Sequence, residues 1–354
     1  MEYGSEYHWQ ANEPFLRGND TGFVRDDWQL YRSGRDAMKA FARIAGRKKV
    51  LMPALCCESM IMPFEANGYR VEYYKLKPDL SADREDVLNK LSPGAVLLYM
   101  RYFGVPAFED GFLQSLRDRG EDILFVEDRT HDILLDREQE GFEPDAMLSS
   151  LRKWAALPDG GMLKTHLGGC QAERDGRFGT MRMAAMQKKD RYLESWQPEL
   201  KQEFLKELGI ASDILDESGV PVAMGVEEEK LLRRLDMKAL FRRRQENALL
   251  LKELLRPLEA EGKLRFMTEQ PENSTLYLPI YLEARKKVQT MMARRDIYCP
   301  VIWPMPEACE GICPTADFVT EHMLAIPCDQ RYDEADMRFI AKKLSEILGD
   351  TNEL

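Results

Sequence analysis

Between residues 33 and 165 short apolar runs alternate with segments of helical period, and no other feature restricts the fold as strongly. Residues 35–45 put Ala37, Met38, Phe41 and Ile44 on one helical face and stop at Gly46. A strand is predicted at 49–53, a helix at 58–67 ended by Gly68, a strand at 70–75 and a polar helix near 83–91. The run 95–102 is almost continuously apolar, as suits a strand covered on both faces. A helix at 109–119, a strand at 122–127 and short strands at 145–150 and 161–165 complete the series. Such alternation predicts an α/β fold with a mostly parallel central sheet.

The rest of the chain divides differently. Segments 182–207 and 226–256 are charged and helical, with 209–225 between them expected as a loop or lid. Segment 226–256 is expected to be a single helix linking two domains. Beyond it the sequence predicts strand 275–282, helix 284–294, strands 297–303 and 323–327, and helix 333–348. Pro300, Pro304, Pro306 and Pro314 predict a stiff, irregular connection over 299–316. A large domain is therefore placed at 1–240, and the linking helix with a smaller C-terminal α/β domain at 241–354.

Bulk properties remove several classes of function. The net charge of −11 repels phosphate backbones, so nucleic acid is not an expected partner. Seven cysteines are an odd number, and Cys309 and Cys313 have no second pair or histidine nearby, so reduced thiols are expected and zinc is not. Met1 to Gln10 has neither a basic flank nor an apolar core, and no apolar run reaches the ~20 residues that span a bilayer. A cytoplasmic protein without a membrane segment is the expectation.

Ligands of open parallel sheets bind beyond the carboxyl ends of the strands, and four features fall there. Ser33-Gly34-Arg35 opens a helix, which is either a simple cap or an anion site made by free N–H groups. Glu127-Asp128-Arg129-Thr130-His131 ends a strand, where a carboxylate either forms an Asx turn or faces a cation such as a protonated ring nitrogen. Ser149-Ser150-Leu151-Arg152-Lys153-Trp154 follows the next strand. A lysine amine held among other cations at an apolar edge is a nucleophile for a carbonyl, although a lysine after an arginine is ordinarily a surface residue. Pro158-Asp159-Gly160-Gly161 permits close backbone packing or a hairpin turn. Neither a G-x-G-x-x-G nor a G-x-x-x-x-G-K-[ST] motif is present, so a generic nucleotide-binding enzyme has no support.

In order and spacing these four features resemble the DegT/DnrJ-type sugar aminotransferases, which depend on pyridoxal 5'-phosphate (PLP) and have the fold-type I architecture. The most specific part is the block from Asp128 through Lys153 to Gly160 and Gly161, seven and eight residues beyond the lysine. Val50-Leu51-Met52-Pro53, Tyr102-Phe103-Gly104-Val105-Pro106 and Arg243-Arg244-Gln245-Glu246-Asn247 also resemble stretches of that family. The resemblance implies that Lys153 holds PLP through its amine and serves as acid and base. It further implies that Asp128 pairs with the pyridine nitrogen, that His131 approaches the ring hydroxyl, and that Ser33, Gly34, Arg35 and Ser149 or Ser150 surround the phosphate. A homodimer moving an amino group from glutamate to a keto-sugar or related carbonyl is implied as well. The departures are Leu148 in place of a serine, Leu55-Cys56-Cys57 where an aromatic is usual, Arg101 in place of a histidine, and no match to a phosphate-binding asparagine in Gly179-Thr180-Met181-Arg182. Arg101 and Arg331 read either as binders of a substrate carboxylate or phosphate, or as structural residues. The alternative function is a PLP-binding regulatory or structural protein without turnover.

Overall fold

The structure is a computed structural model that describes residues 1–10, 13–133, 141–269 and 276–349. Its centre is a nine-stranded sheet in the order β3-β2-β4-β5-β6-β7-β1-β9-β8. The strands are β1 (Trp28–Tyr31), β2 (Lys49–Pro53), β3 (Arg70–Tyr74), β4 (Ala95–Met100), β5 (Leu124–Asp128), β6 (Ala146–Ser150), β7 (Gly161–Thr165), β8 (Glu173–Arg174) and β9 (Val222–Ala223). From β3 to β6 all neighbours are parallel, whereas β7 and β1 run antiparallel to theirs. This is the mostly parallel α/β sheet that the alternation predicts. Every side chain of β4 is buried, which accounts for its unbroken apolar run.

Helix α1 (Gly34–Ala45) packs on β6 and β7 with Phe41, Ala37 and Met38 inward. It begins at the Ser33 cap and ends where Gly46 takes φ 60°, the left-handed stop that glycine favours. Helices α2 (Glu58–Glu65), α3 (Arg84–Lys90) and α4 (Asp110–Asp118) fall where the periodicity puts them.

The charged middle differs from expectation. The 182–207 helix is two, α5 (Arg177–Ser195) and α6 (Pro198–Glu217), separated where Trp196 turns to φ 55° and Pro198 starts a new first turn. Most of the expected loop 209–225 is thus helix, because Gly209 lies inside α6. The 226–256 helix is also two, α7 (Val226–Arg233) and α8 (Met237–Ala260), with Asp236 capping the second by accepting from the Ala239 N–H at 3.0 Å.

A second, three-stranded antiparallel sheet joins β10 (Arg265–Phe266), β11 (Leu278–Tyr281) and β12 (Met323–Ile326). Residue 275, included in the expected strand 275–282, lies outside the described residues. Helices α8, α9 (Arg285–Ala293) and α11 (Glu334–Gly349) cover this sheet around Leu251, Val288, Ile340 and Leu344. The expected strand 297–303 is absent as a strand. Ile297 makes only an isolated bridge to Tyr3, so its backbone serves the N-terminal segment instead. The connection 299–316 is irregular except for a helical turn at Glu307–Cys309 and the start of α10 (Pro314–His322). No helix among the described residues is long and apolar enough to cross a membrane.

Candidate active site

Strands β5 and β6 are parallel and pair Asp128 with Leu148, so both chains leave the sheet at the same edge. Asp128 is buried there, and its Oδ1 accepts from the Thr130 N–H at 2.8 Å. The Asx turn anticipated for this carboxylate is thus formed. Burial pushes the Asp128 carboxyl above its ordinary range, against the hydrogen bonds from Thr130 and the charge of Lys153. After β6 a single helical turn, Leu151–Lys153, brings the lysine to the same edge. Thr130 clamps the two strand ends: its hydroxyl oxygen accepts from the Ser150 N–H at 3.1 Å, and its carbonyl accepts from the Trp154 indole N–H at 2.9 Å.

Lys153 itself is exposed, with Nζ 5.8 Å from the centroid of the Trp303 ring. Its charge acts on both Asp128 and His131. His131 is fully buried between Phe103, at 4.7 Å, and Trp303, at 5.1 Å with the rings 25° apart. Burial, reinforced by the charge of Lys153, holds His131 well below the usual histidine range, so its imidazole is neutral at pH 7. Phe103 reaches this position from a left-handed backbone, φ 49°, followed by Gly104 at φ 82°. Such a conformation in a non-glycine residue costs about 1 kcal/mol or more, and here it aims the ring at His131.

At the start of α1 the side chain of Ser33 is committed to the cap. Its hydroxyl donates to Asp36 Oδ2 at 2.7 Å and accepts from the Asp36 N–H at 3.1 Å. A Cβ on Gly34 would lie 3.0 Å from the Cβ of Ser150, and one on Gly161 would lie 2.0 Å from the Ser33 carbonyl oxygen. The two glycines thus let the first turn of α1 press against β6 and β7. Gly160 instead lets the chain pass close to the turn after β6, where a Cβ would meet the Arg152 backbone nitrogen at 2.9 Å, and neither Gly160 nor Gly161 takes a positive φ. Ser149 is buried with a hydroxyl that has no hydrogen-bond partner, and Ser150 is half-buried beside it. Arg35 does not join the cluster through its side chain. Its guanidinium pairs with Asp216 of α6, leaving only its backbone N–H at the helix start.

The arginines considered as substrate readers are held in ion pairs. Arg101 meets Glu127 at 2.7 Å, and Arg331 meets Asp329 at 2.8 Å while stacking on Tyr7 at 4.4 Å. Arg244 does more than sequence suggested. It is buried, donates to the carbonyl of Trp154 at 2.8 Å and to Gln330 at 2.8 Å, and so braces the Lys153 turn from α8. Trp303, Thr130 and Tyr7, whose hydroxyl donates to the Lys153 carbonyl at 3.3 Å, were not legible as site residues. The connection that carries Trp303 is seated against Cys56, where the sulfur of Cys309 lies 3.6 Å away. Trp303 thus brings an aromatic ring to a site whose Leu55-Cys56-Cys57 segment has none.

The group that sequence resemblance implies fits these residues. The buried Asp128 suits a cationic ring nitrogen, neutral His131 suits a ring hydroxyl, and the orphaned Ser149 hydroxyl with the α1 N–H groups suits an oxyanion.

No family model matches the sequence, and no curated protein matches it in sequence. Solved structures do match in shape. PseC of Helicobacter pylori, an aminotransferase involved in the biosynthesis of pseudoaminic acid, is 12% identical, with a TM-score of 0.67 over 99% of this chain and 100% of its own. DesV of S. venezuelae, solved in complex with a ketimine intermediate, is 16% identical, with a TM-score of 0.65 over 95% and 90%. The aminotransferase TlmJ of Streptoalloteichus hindustanus is 16% identical, with a TM-score of 0.64 over 91% and 86%. The chain therefore has the fold of these aminotransferases, the fold-type I architecture.

Proposed function

We propose that this protein is a PLP-dependent aminotransferase of the DegT/DnrJ type, with Lys153 as the lysine that holds the cofactor. The observation that carries the proposal is the adjacency of Lys153 and Asp128 at one sheet edge, tied together through Thr130. PLP, when bound, supplies an aldehyde and an electron-withdrawing ring. Asp128 would hold the ring nitrogen in its protonated form, because a buried carboxylate stabilises a nearby cation. His131, kept neutral, would donate to or accept from the ring hydroxyl without adding charge. Gly34, the backbone of Arg35, Ser149 and Ser150 would border the phosphate. The amine of Lys153 would take up and return the proton that moves between substrate carbon and cofactor.

Glutamate as donor and a keto-sugar or related carbonyl as acceptor follow from the resemblance. A homodimer is expected on the same ground, and the exposed position of Lys153 suits a site that a second subunit covers.

Purified protein loaded with PLP should show a visible absorption band that borohydride bleaches and that Lys153→Ala abolishes. Glutamate should then discharge the band with release of 2-oxoglutarate. A band that survives Lys153→Ala would overturn the lysine assignment. A lysine-dependent band that no amino acid discharges would favour a cofactor-binding protein without turnover.

A further inference from the structure

A cavity of ≈ 220 Å³ opens beside Lys153 between the N-terminal segment, the end of β6 and α5. Four cationic side chains line it, Arg152, Lys153, Arg182 and Arg331, against two carboxylates, Glu6 and Asp329. An excess of positive charge in one small cavity stands out in a chain whose net charge is −11.

The four cations are not equally compensated. Arg331 is matched by the two oxygens of Asp329, each at 2.8 Å. Arg182 has only Glu6, at 3.5 Å, and the Glu6 side chain is 52% exposed. Arg152 has no ion pair and no hydrogen bond among the described residues. Its guanidinium lies over the ring of Phe178 at 4.9 Å, and Arg182 shares that ring at 5.9 Å. The Nε atoms of both arginines are buried without a partner. Burial, followed by the charge of Arg182, pushes the Arg152 guanidinium down to about 9. Asp159, Glu6 and Asp36 oppose this from a distance, but a cation in a shielded place without an ion-pair or hydrogen-bond partner is costly, and a forked guanidinium is suited to bind an oxyanion through two N–H groups.

We propose that Arg152 and Arg182 form a binding site for a phosphate monoester next to Lys153. A phosphate monoester carries about −1.5 to −2 charges at pH 7, which matches the excess of two cations in the cavity better than a single carboxylate does. Ser150 lines the same cavity and abuts Gly34, so the N–H groups at the start of α1 border it. The shared chemistry can come from the cofactor's own phosphate or from a phosphorylated substrate, and the cofactor arm rests on the PLP reading given above.

The test titrates the full-length apoprotein with PLP, with pyridoxal lacking the phosphate, and with inorganic phosphate, read by tryptophan quenching and calorimetry. If the site takes the cofactor's phosphate, Arg152→Gln weakens PLP binding by roughly tenfold or more and leaves pyridoxal binding within about twofold. If it takes a substrate phosphate, PLP affinity is unchanged and inorganic phosphate binding to the PLP-loaded protein is weakened by a similar factor. Equal losses for PLP and pyridoxal, or no loss with any probe, overturn the proposal. Arg182→Gln gives the same pattern and serves if circular dichroism shows that Arg152→Gln does not fold. Wild-type protein that forms no colour with PLP or pyridoxal, yet binds phosphate through Arg152, would refute the PLP reading and leave the anion site standing.

Discussion

The indole N–H of Trp154 donates to the carbonyl of Thr130 at 2.9 Å, which fastens the turn carrying Lys153 to the turn that follows Asp128. The same indole stacks edge-on against Phe241 and beneath Arg244. Trp154→Phe keeps an aromatic ring there and deletes the donor. It should lower stability by about 2–4 kcal/mol in urea unfolding, the lost hydrogen bond adding to the cavity left where the fully buried indole was, and should weaken cofactor binding as well. Unchanged cofactor affinity would mean that the clamp does not position the lysine.

Gly161 lies in β7 between Tyr31 and Ser150. Because a Cβ at this position would meet the Ser33 carbonyl oxygen at 2.0 Å, Gly161→Ala must push α1 away from the sheet. The expected cost is about 1–3 kcal/mol, as for overpacked cores. Thermal unfolding measures it, and a melting temperature equal to the wild type would refute the close approach.

Asp128→Asn retains an oxygen for the Thr130 N–H and removes the charge. The visible band should persist, while its discharge by glutamate slows by roughly tenfold to a hundredfold, the difference between a charged and a neutral hydrogen bond. Stopped-flow absorbance on variant and wild type decides this.

Two buried groups outside the chemistry set a pH profile for stability. Asp159, whose Oδ2 accepts from the Gly225 N–H at 3.0 Å, is raised to about 7 by burial and then by Glu228, while that hydrogen bond and the charges of Arg152 and Arg32 oppose the rise. From the unfolded value of about 3.9 up to 7, the native state keeps a proton that the unfolded chain releases, so stability falls as pH rises. Lys189, bonded to Ser5 at 2.7 Å, is lowered to about 7 by burial and by Arg331, against Glu2, Glu6 and Asp329. From 7 up to its unfolded value of about 10.4, the unfolded chain holds the extra proton, so stability rises with pH. The two contributions together produce a minimum near pH 7. Asp159→Asn should lessen the acid-side fall, which Glu13, also raised to about 7 by burial, shares, and Lys189→Met should lessen the alkaline-side rise, measured as melting temperature from pH 4 to 10 relative to wild type.

What sequence made legible follows from periodicity. Strands β2 to β6 and helices α1 to α4 were readable because each has one dominant spacing of apolar residues. Strand β1, Trp-Gln-Leu-Tyr, was missed because four residues carry too short a pattern. The joins at Trp196-Gln197-Pro198 and at Arg234-Leu235-Asp236 interrupt charged stretches in which helix propensity is uniform, so only the caps betray them. Within the site, Asp128, His131, Lys153, Gly34 and both serines come together as local motifs suggested. Arg35 did not, since its long side chain had a competing carboxylate at Asp216. Trp303 and Arg244 were beyond reach as site residues because they arrive from 150 and 91 positions past Lys153, and no local spacing encodes such contacts.

The parallel pairing of Asp128 with Leu148 has an evolutionary consequence. Adjacent strands sit ~4.8 Å apart whatever side chains they carry, so the distance between the two exits is written in peptide hydrogen bonds. Descendants of this chain can trade nearly all their neighbouring side chains and inherit the spacing intact. Miscounting is what disrupts it: one residue inserted into β6 would turn the later side chains of that strand to the opposite face and shift the turn that carries the lysine.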